Sequence, residues 1–180
     1  MIETSASRKV SGVPVKLRAI ACVIAGLVLI PLAVQISAAY GAADGKPIAG
    51  IQCERQEYSN FHIHAHLDIF IDGKPHAVPE SIGIINRTCL YWMHTHDPSG
   101  IIHIEAPETR AFTLAQFFEI WKSTAKGVPA TKEAPKIYVN GKRVNGRLEQ
   151  VEIVPLAEIA LVYGKEPATV PSSYDFSKNL

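Results

Sequence analysis

The sequence predicts an α+β domain made mainly of antiparallel β-hairpins packed on one α-helix, preceded by an N-terminal hydrophobic helix. Three observations predict it. Phe61 to Ile71 alternates strictly between two faces, the period-two pattern of a half-buried strand. Asp72-Gly73 and Asn140-Gly141 each separate two strand-like runs, as hairpin turns do. Between these hairpins, Leu114, Phe117, Phe118 and Trp121 recur at helical spacing on one face.

The elements follow in chain order. Ala19 to Val34 is an unbroken apolar run, preceded by Arg8, Lys9, Lys16 and Arg18 against Glu3 alone. A basic flank before an apolar stretch is an export signal. Ser37-Ala38-Ala39 offers small residues for cleavage before Tyr40. Left uncleaved and extended through Ala39, the run reaches about 21 residues, enough to cross a hydrocarbon core of roughly 30 Å. Residues 1–39 therefore read as a signal peptide or a single transmembrane anchor. Both readings expect an extracytoplasmic domain, periplasmic or at the cell surface, secreted or held at the membrane. Residues 40–58 read as a linker, 59–164 as the histidine-rich α+β domain, and 165–180, with Pro167 and Pro171, as an extended tail.

Within the domain, Phe61–Ile71 is expected to return through Lys74–Val78. Cys89–His96 and Ile101–Glu105 read as two further strands. They are joined by Asp97-Pro98-Ser99-Gly100, whose residue types suit a type I turn. That four-residue loop sets a register: His96 opposite Ile101, His94 opposite His103, and Trp92 opposite Glu105. Thr113 opens the helix, Gln116 completes a capping box, and Gly127 is a reasonable stop. Lys136–Val139 and Lys142–Val144 form the next hairpin, and Glu158–Tyr163 the last strand. This order is similar to a β-grasp, with the Cys89–Glu105 hairpin as an insertion. Such a likeness concerns fold order and implies no function.

Composition narrows the function classes. The chain has 180 residues, 47% of them hydrophobic and 19% charged, with a formal net charge of +1. A disordered or low-complexity chain is excluded. The first 39 residues hold four basic side chains and one acid, +3, so the remainder stands at −2. Nothing there invites a nucleic-acid partner, and no protein partner is identified. Cys53 and Cys89 are available for a disulfide in an oxidising compartment. Its loop of about 36 residues would contribute roughly 3–4 kcal/mol by the chain-entropy model. The rival role for either cysteine is a soft metal ligand.

The main functional signal is histidine. All seven lie between positions 62 and 103. His94, His96 and His103 share one face of the expected hairpin with Glu105. His62, His64 and His66 share one face of the preceding strand with Asp68. Residues i and i+2 lie about 6.6–6.8 Å apart along a strand, so a pair can chelate one ion but all three cannot. The third must serve a second ion, orient a ligand or face water. Asp68 is the natural acceptor for a ligand's other ring nitrogen, or an extra oxygen ligand. A two-residue Asp72-Gly73 loop turns His76 away from this face; a three-residue loop would bring it in.

Imidazole suits zinc and copper, and the order of divalent affinities favours copper on an open site. Met93 faces away from His94, and no Cys-x-x-Cys pair is present. A copper or zinc ion is therefore the expected partner, held by His62, His64, His66, His94, His96, His103 and Glu105. The expected role is metal handling, delivery or sensing. His-x-His on a strand with a later third His is similar to the ligand spacing of zinc hydratases and cupin metal sites. That resemblance implies the alternative of a metal-dependent hydratase, hydrolase or oxidoreductase, with Glu105 as general base. The remaining readings are a pH-sensing cluster, open to imidazole because it titrates near 6.5, and an interaction module whose histidines are structural.

Overall fold

Strict alternation from Phe61 to Ile71 produces one long strand, and the rest of the domain is arranged around it. The computed structural model describes residues 45–86 and 88–178. The expected export segment, residues 1–39 with Cys22, lies outside the described residues. Among the described residues no helix is long and apolar enough to cross a membrane.

The strands are β1 (Cys53–Glu54), β2 (Phe61–Ile71), β3 (Lys74–His76), β4 (Ile84–Ile85), β5 (Cys89–Tyr91), β6 (Met93–His94), β7 (Ile101–Ala106), β8 (Lys136–Val139), β9 (Lys142–Val144) and β10 (Glu158–Tyr163). The helix α1 runs from Leu114 to Thr124. The described chain is thus mostly β-sheet with one α-helix, as an α+β class requires. A large sheet has the order β6-β7-β2-β10-β8-β9, with β3 also paired to β2; β1, β5 and β4 form a small one.

Both Asx-Gly hairpins form as expected. Asp72 and Gly73 have φ of 50° and 79°, and Asn140 and Gly141 have 49° and 73°. Two successive positive φ values define the type I′ turn, whose twist matches paired strands. The two-residue loop sets Ile69 opposite His76. His76 therefore leaves the histidine face, and its Nε2–H donates to the Gly127 carbonyl at 2.7 Å.

The central pairing is not a hairpin. β2 and β10 run parallel over six residue pairs, from His66↔Glu158 to Ile71↔Tyr163. The other pairings of the large sheet are antiparallel, as the mainly antiparallel expectation has it; this parallel pair was not foreseen. The two strands are joined by nearly the whole domain, so no local turn announces their contact.

The expected strand Cys89–His96 is also broken. Cys89–Tyr91 pairs with β1 and β4 in the small sheet, whereas Met93–His94 pairs with β7 in the large one. The chain changes sheets at Trp92, whose N–H donates to the Gln52 carbonyl and whose carbonyl accepts from Glu105 N–H. Residues read as a linker take part here: Ile51 is fully buried, and Cys53 forms the expected disulfide with Cys89, Cα atoms 5.1 Å apart. Disulfides form and persist mainly in oxidising compartments, so the bond points to an extracytoplasmic setting.

One face of the large sheet packs on α1. Ala65, Leu67 and Ile69 of β2, Ile102 and Ile104 of β7, and Ile159 and Leu161 of β10 meet Leu114, Phe117, Phe118, Ile120 and Trp121. The capping box is present: Thr113 Oγ1 accepts from Gln116 N–H, and Gln116 Oε1 accepts from Thr113 N–H. The helix ends before Gly127: Ala125 is extended, and its N–H makes the last helical bond, to the Trp121 carbonyl.

The opposite face is divided. Phe70, Ala160, Val162 and Tyr138 form a small apolar cluster at one end, with Val170 of the C-terminal segment packed on it. Residues 165–178 lie along the domain, tied by a Lys136–Glu166 ion pair and by Tyr174 stacked on His66. The other end of this face carries imidazoles.

Candidate metal centre

Three strands deliver the site. β7 lies between β6 and β2 in an antiparallel register that sets His103 opposite both His94 and His64, and Glu105 opposite His62. Alternation then puts His62, His64, His94, His103 and Glu105 on one face. The His94↔His103 pair follows from the expected turn. The β2–β7 register, which joins the two histidine groups, does not.

Local packing holds each donor. Thr95 separates His94 from His96, and the 79–82 segment grips it: its hydroxyl donates to Pro79 O and accepts from Ile82 N–H. Gly83 passes directly beneath. A Cβ there would lie 2.5 Å from the Met93 carbonyl and 3.1 Å from His94 Cβ, so the strand needs glycine at this approach.

His94 is 1% exposed, and its Nδ1–H donates to the Tyr91 carbonyl at 2.9 Å. That bond assigns the tautomer and leaves Nε2 as a bare lone pair. His94 Nε2 faces His96 Nε2 at 3.1 Å. His62 and His64 form a matching pair with Nε2 atoms 3.0 Å apart. Ligands at about 2.0–2.1 Å from one ion stand about 2.9 Å apart at a right angle and about 3.4 Å apart in a tetrahedron. Both pairs fall inside that interval.

Glu105 anchors the middle. Its side chain is 4% exposed, with Oε1 3.1 Å from His62 Nε2 and 3.8 Å from His103 Nδ1. Its Oε2 is buried without a hydrogen-bond partner among the described residues. A buried carboxylate oxygen left unpaired is costly, and a cation beside it removes the cost.

The electrostatics keep lone pairs free. Burial, partly offset by the Tyr91 carbonyl and reinforced by neighbouring imidazoles, lowers the His94 pKa to about 4. Burial and four surrounding histidines lower His103 to about 3. Burial, His62 and His96 also lower His64. These three rings are therefore neutral at neutral pH, the form a metal requires. Burial, with Glu57 nearby, raises Glu105 to about 7.

Ligand atoms of His94, His96, His103 and Glu105 lie within 4.8 Å of one another, and so do those of His62, His64 and His103. His66 stands apart. Its Nδ1 meets Glu158 Oε2 at 2.7 Å, and its Nε2–H donates to the Ser99 carbonyl at 2.8 Å. Burial opposes its charged form, but Glu158, the Ser99 carbonyl and Asp68 together raise its pKa. Asp68 Oδ2 is 3.9 Å from the same Nδ1, so it attends His66 and not the main cluster. His66, Asp68 and Glu158 form a third group of close donors, whose imidazole nitrogens both already have protein partners.

Several participants were not legible as such. Glu57, in the presumed linker, brings Oε1 within 3.3 Å of His96 Nε2. Glu158 reaches His66 only through the parallel β2–β10 pair, and Tyr174 through the return of the C-terminal segment. What the sequence made readable was the i+2 rhythm of the histidines and the turn that sets His94 opposite His103 and brings Glu105 to their face. No family model, curated protein or solved structure matches this chain.

Proposed function

We propose that this chain is an exported, membrane-proximal transition-metal-binding protein that handles, delivers or senses copper or zinc through its histidine face. The carrying observation is the His94/His96 pair. One ring has its Nδ1–H committed to a backbone carbonyl, so its Nε2 lone pair points at a second Nε2 3.1 Å away. Donors of nitrogen type with one buried carboxylate suit zinc or copper better than magnesium or calcium, which take oxygen. The Cys53–Cys89 disulfide supports export, and residues 1–39 supply the signal or anchor in this reading. The domain itself we read as a β-grasp order, β3-β2-β10-β8-β9, into which the β4–β7 segment is inserted.

The test is metal content. The full chain is expressed in an exporting host without a His tag, purified, and analysed by mass spectrometry for bound metals. Copper or zinc is expected at stoichiometric levels and is expected to be lost in His94→Ala/His103→Ala. No bound metal, and no uptake of either ion at neutral pH, refutes the proposal and leaves the structural role for these histidines.

One observation favours an enzyme reading instead. Glu105, raised to about 7 beside three imidazoles, has the pKa of a general base at neutral pH. It would then activate water on an ion held by His94, His96 and His103. Hydrolytic or hydratase activity abolished by Glu105→Gln with metal retained would select that reading.

A further inference from the structure

The donors on this face form two groups, and each alone is sufficient to chelate. We propose that the face holds two metal ions side by side, one at His94/His96 and one at His62/His64, with His103 and Glu105 of β7 between them. This rests on the metal-binding reading above and specifies its stoichiometry and geometry.

Zinc sites are almost always four-coordinate. His94, His96, His103 and Glu105 already supply four donors within 4.8 Å of one another. A single ion there leaves His62 and His64 unused, although their Nε2 atoms stand at chelating separation, 3.0 Å. The two His-x-His pairs come from opposite sides of β7, one from β2 and one from β6 and the residues just after it, so neither replaces the other. His103 belongs to both groups, and its ring centroid lies 4.5 Å from that of His64 and 4.5 Å from that of His96.

Glu105 has the position of a bridge. It is grouped with His94, His96 and His103, yet its Oε1 lies 3.1 Å from His62 Nε2 on the other side. Its second oxygen is buried and has no hydrogen-bond partner among the described residues. A carboxylate has two oxygens and can give one to each of two cations. Like charges on two divalent ions repel, and an anion placed between them offsets that repulsion.

The test uses the full chain stripped of metal by a chelator and titrated with Cu(II). Bound copper is counted by mass spectrometry after desalting, and its electron paramagnetic resonance spectrum is recorded at each step. Two tightly held equivalents are expected, the second broadening the signal of the first because the spins are close. His62→Ala/His64→Ala, both on the accessible side of the site, should weaken the second equivalent at least about tenfold. The first should stay bound, unbroadened, in a chain that remains folded by circular dichroism. His96→Ala should weaken the other equivalent and spare the His62/His64 ion. One equivalent in the wild-type chain overturns the two-ion proposal and leaves metal binding intact. A second equivalent that is unbroadened or indifferent to His62→Ala/His64→Ala overturns it as well, assigning that ion elsewhere. No uptake at all removes the metal-binding reading itself.

Discussion

Removing the Cys53–Cys89 disulfide perturbs the frame that carries the site. The bond joins β1 to β5 across a sequence separation of 36 and encloses the whole of β2, with His62 and His64. By the chain-entropy relation, a closed loop of that length removes about 13 cal/mol/K from the unfolded chain, or about 4 kcal/mol at 25 °C. Both sulfurs are buried, each cysteine being 3% exposed, so the native bond should resist mild reductant. A Cβ on Gly45 would approach both sulfurs within 3 Å, which shows how closely the first described residues pack over them. For a domain of this size each kcal/mol shifts Tm by about 3–4 °C, so Cys53→Ala/Cys89→Ala should lower Tm by about 12–16 °C. The assay is urea and thermal unfolding of the oxidised protein, the double variant, and wild type refolded under reductant. The last two should agree. Equal stability of oxidised and reduced protein would refute the reasoning, because it would mean that the bond constrains nothing the fold does not already hold.

Two further predictions concern protons and charge. His94 has a folded pKa of about 4 against an ordinary 6.5, so between these values the unfolded chain binds a proton that the folded one refuses. In the metal-free protein the His94 contribution should therefore be complete above about pH 6.5 and fall by on the order of 3 kcal/mol as pH drops to 4, with His103 adding to the loss and Glu105, raised to about 7, opposing it. Urea unfolding of wild type and His94→Gln at pH 7, 5.5 and 4.5 isolates the His94 part, and a stability difference between the two that does not change with pH would count against the buried neutral ring. The second is Glu158→Ala, which removes one partner of a buried pair whose side chains are 6% and 1% exposed. It removes the hydrogen-bonded counter-charge of His66, leaving only Asp68 at 3.9 Å, and should cost about 3–5 kcal/mol. Chemical denaturation reads it, and a change under 1 kcal/mol would show that the pair contributes little.

Much of the element list was legible because its signals are local. Thr113 and Gln116 are three residues apart, and Asp72-Gly73 and Asn140-Gly141 are neighbours; such short contacts form wherever the chain goes. The same holds for His94 opposite His103, since a four-residue loop sets the register. The break at Trp92 was not legible, because Cys89 to His96 alternates well enough for one strand. What divides it is competition between two sheets for its backbone hydrogen bonds. Glu57, Glu158 and Tyr174 were missed for a related reason: an isolated acid or tyrosine carries no periodicity.

The sequence by itself determined which side chains could serve together along each strand. Period two puts His62 with His64, and His94 with His96, whatever lies beside them. Only the tertiary structure decided which strands meet. Pairing β7 between β6 and β2 merged two histidine groups into one face. Pairing β10 beside β2 brought Glu158 to His66 Nδ1, while the β6–β7 loop offered the Ser99 carbonyl to its Nε2. Side-chain direction is a property of the local backbone, whereas strand neighbours are set by burying one shared apolar face against α1, a choice made by the whole chain at once.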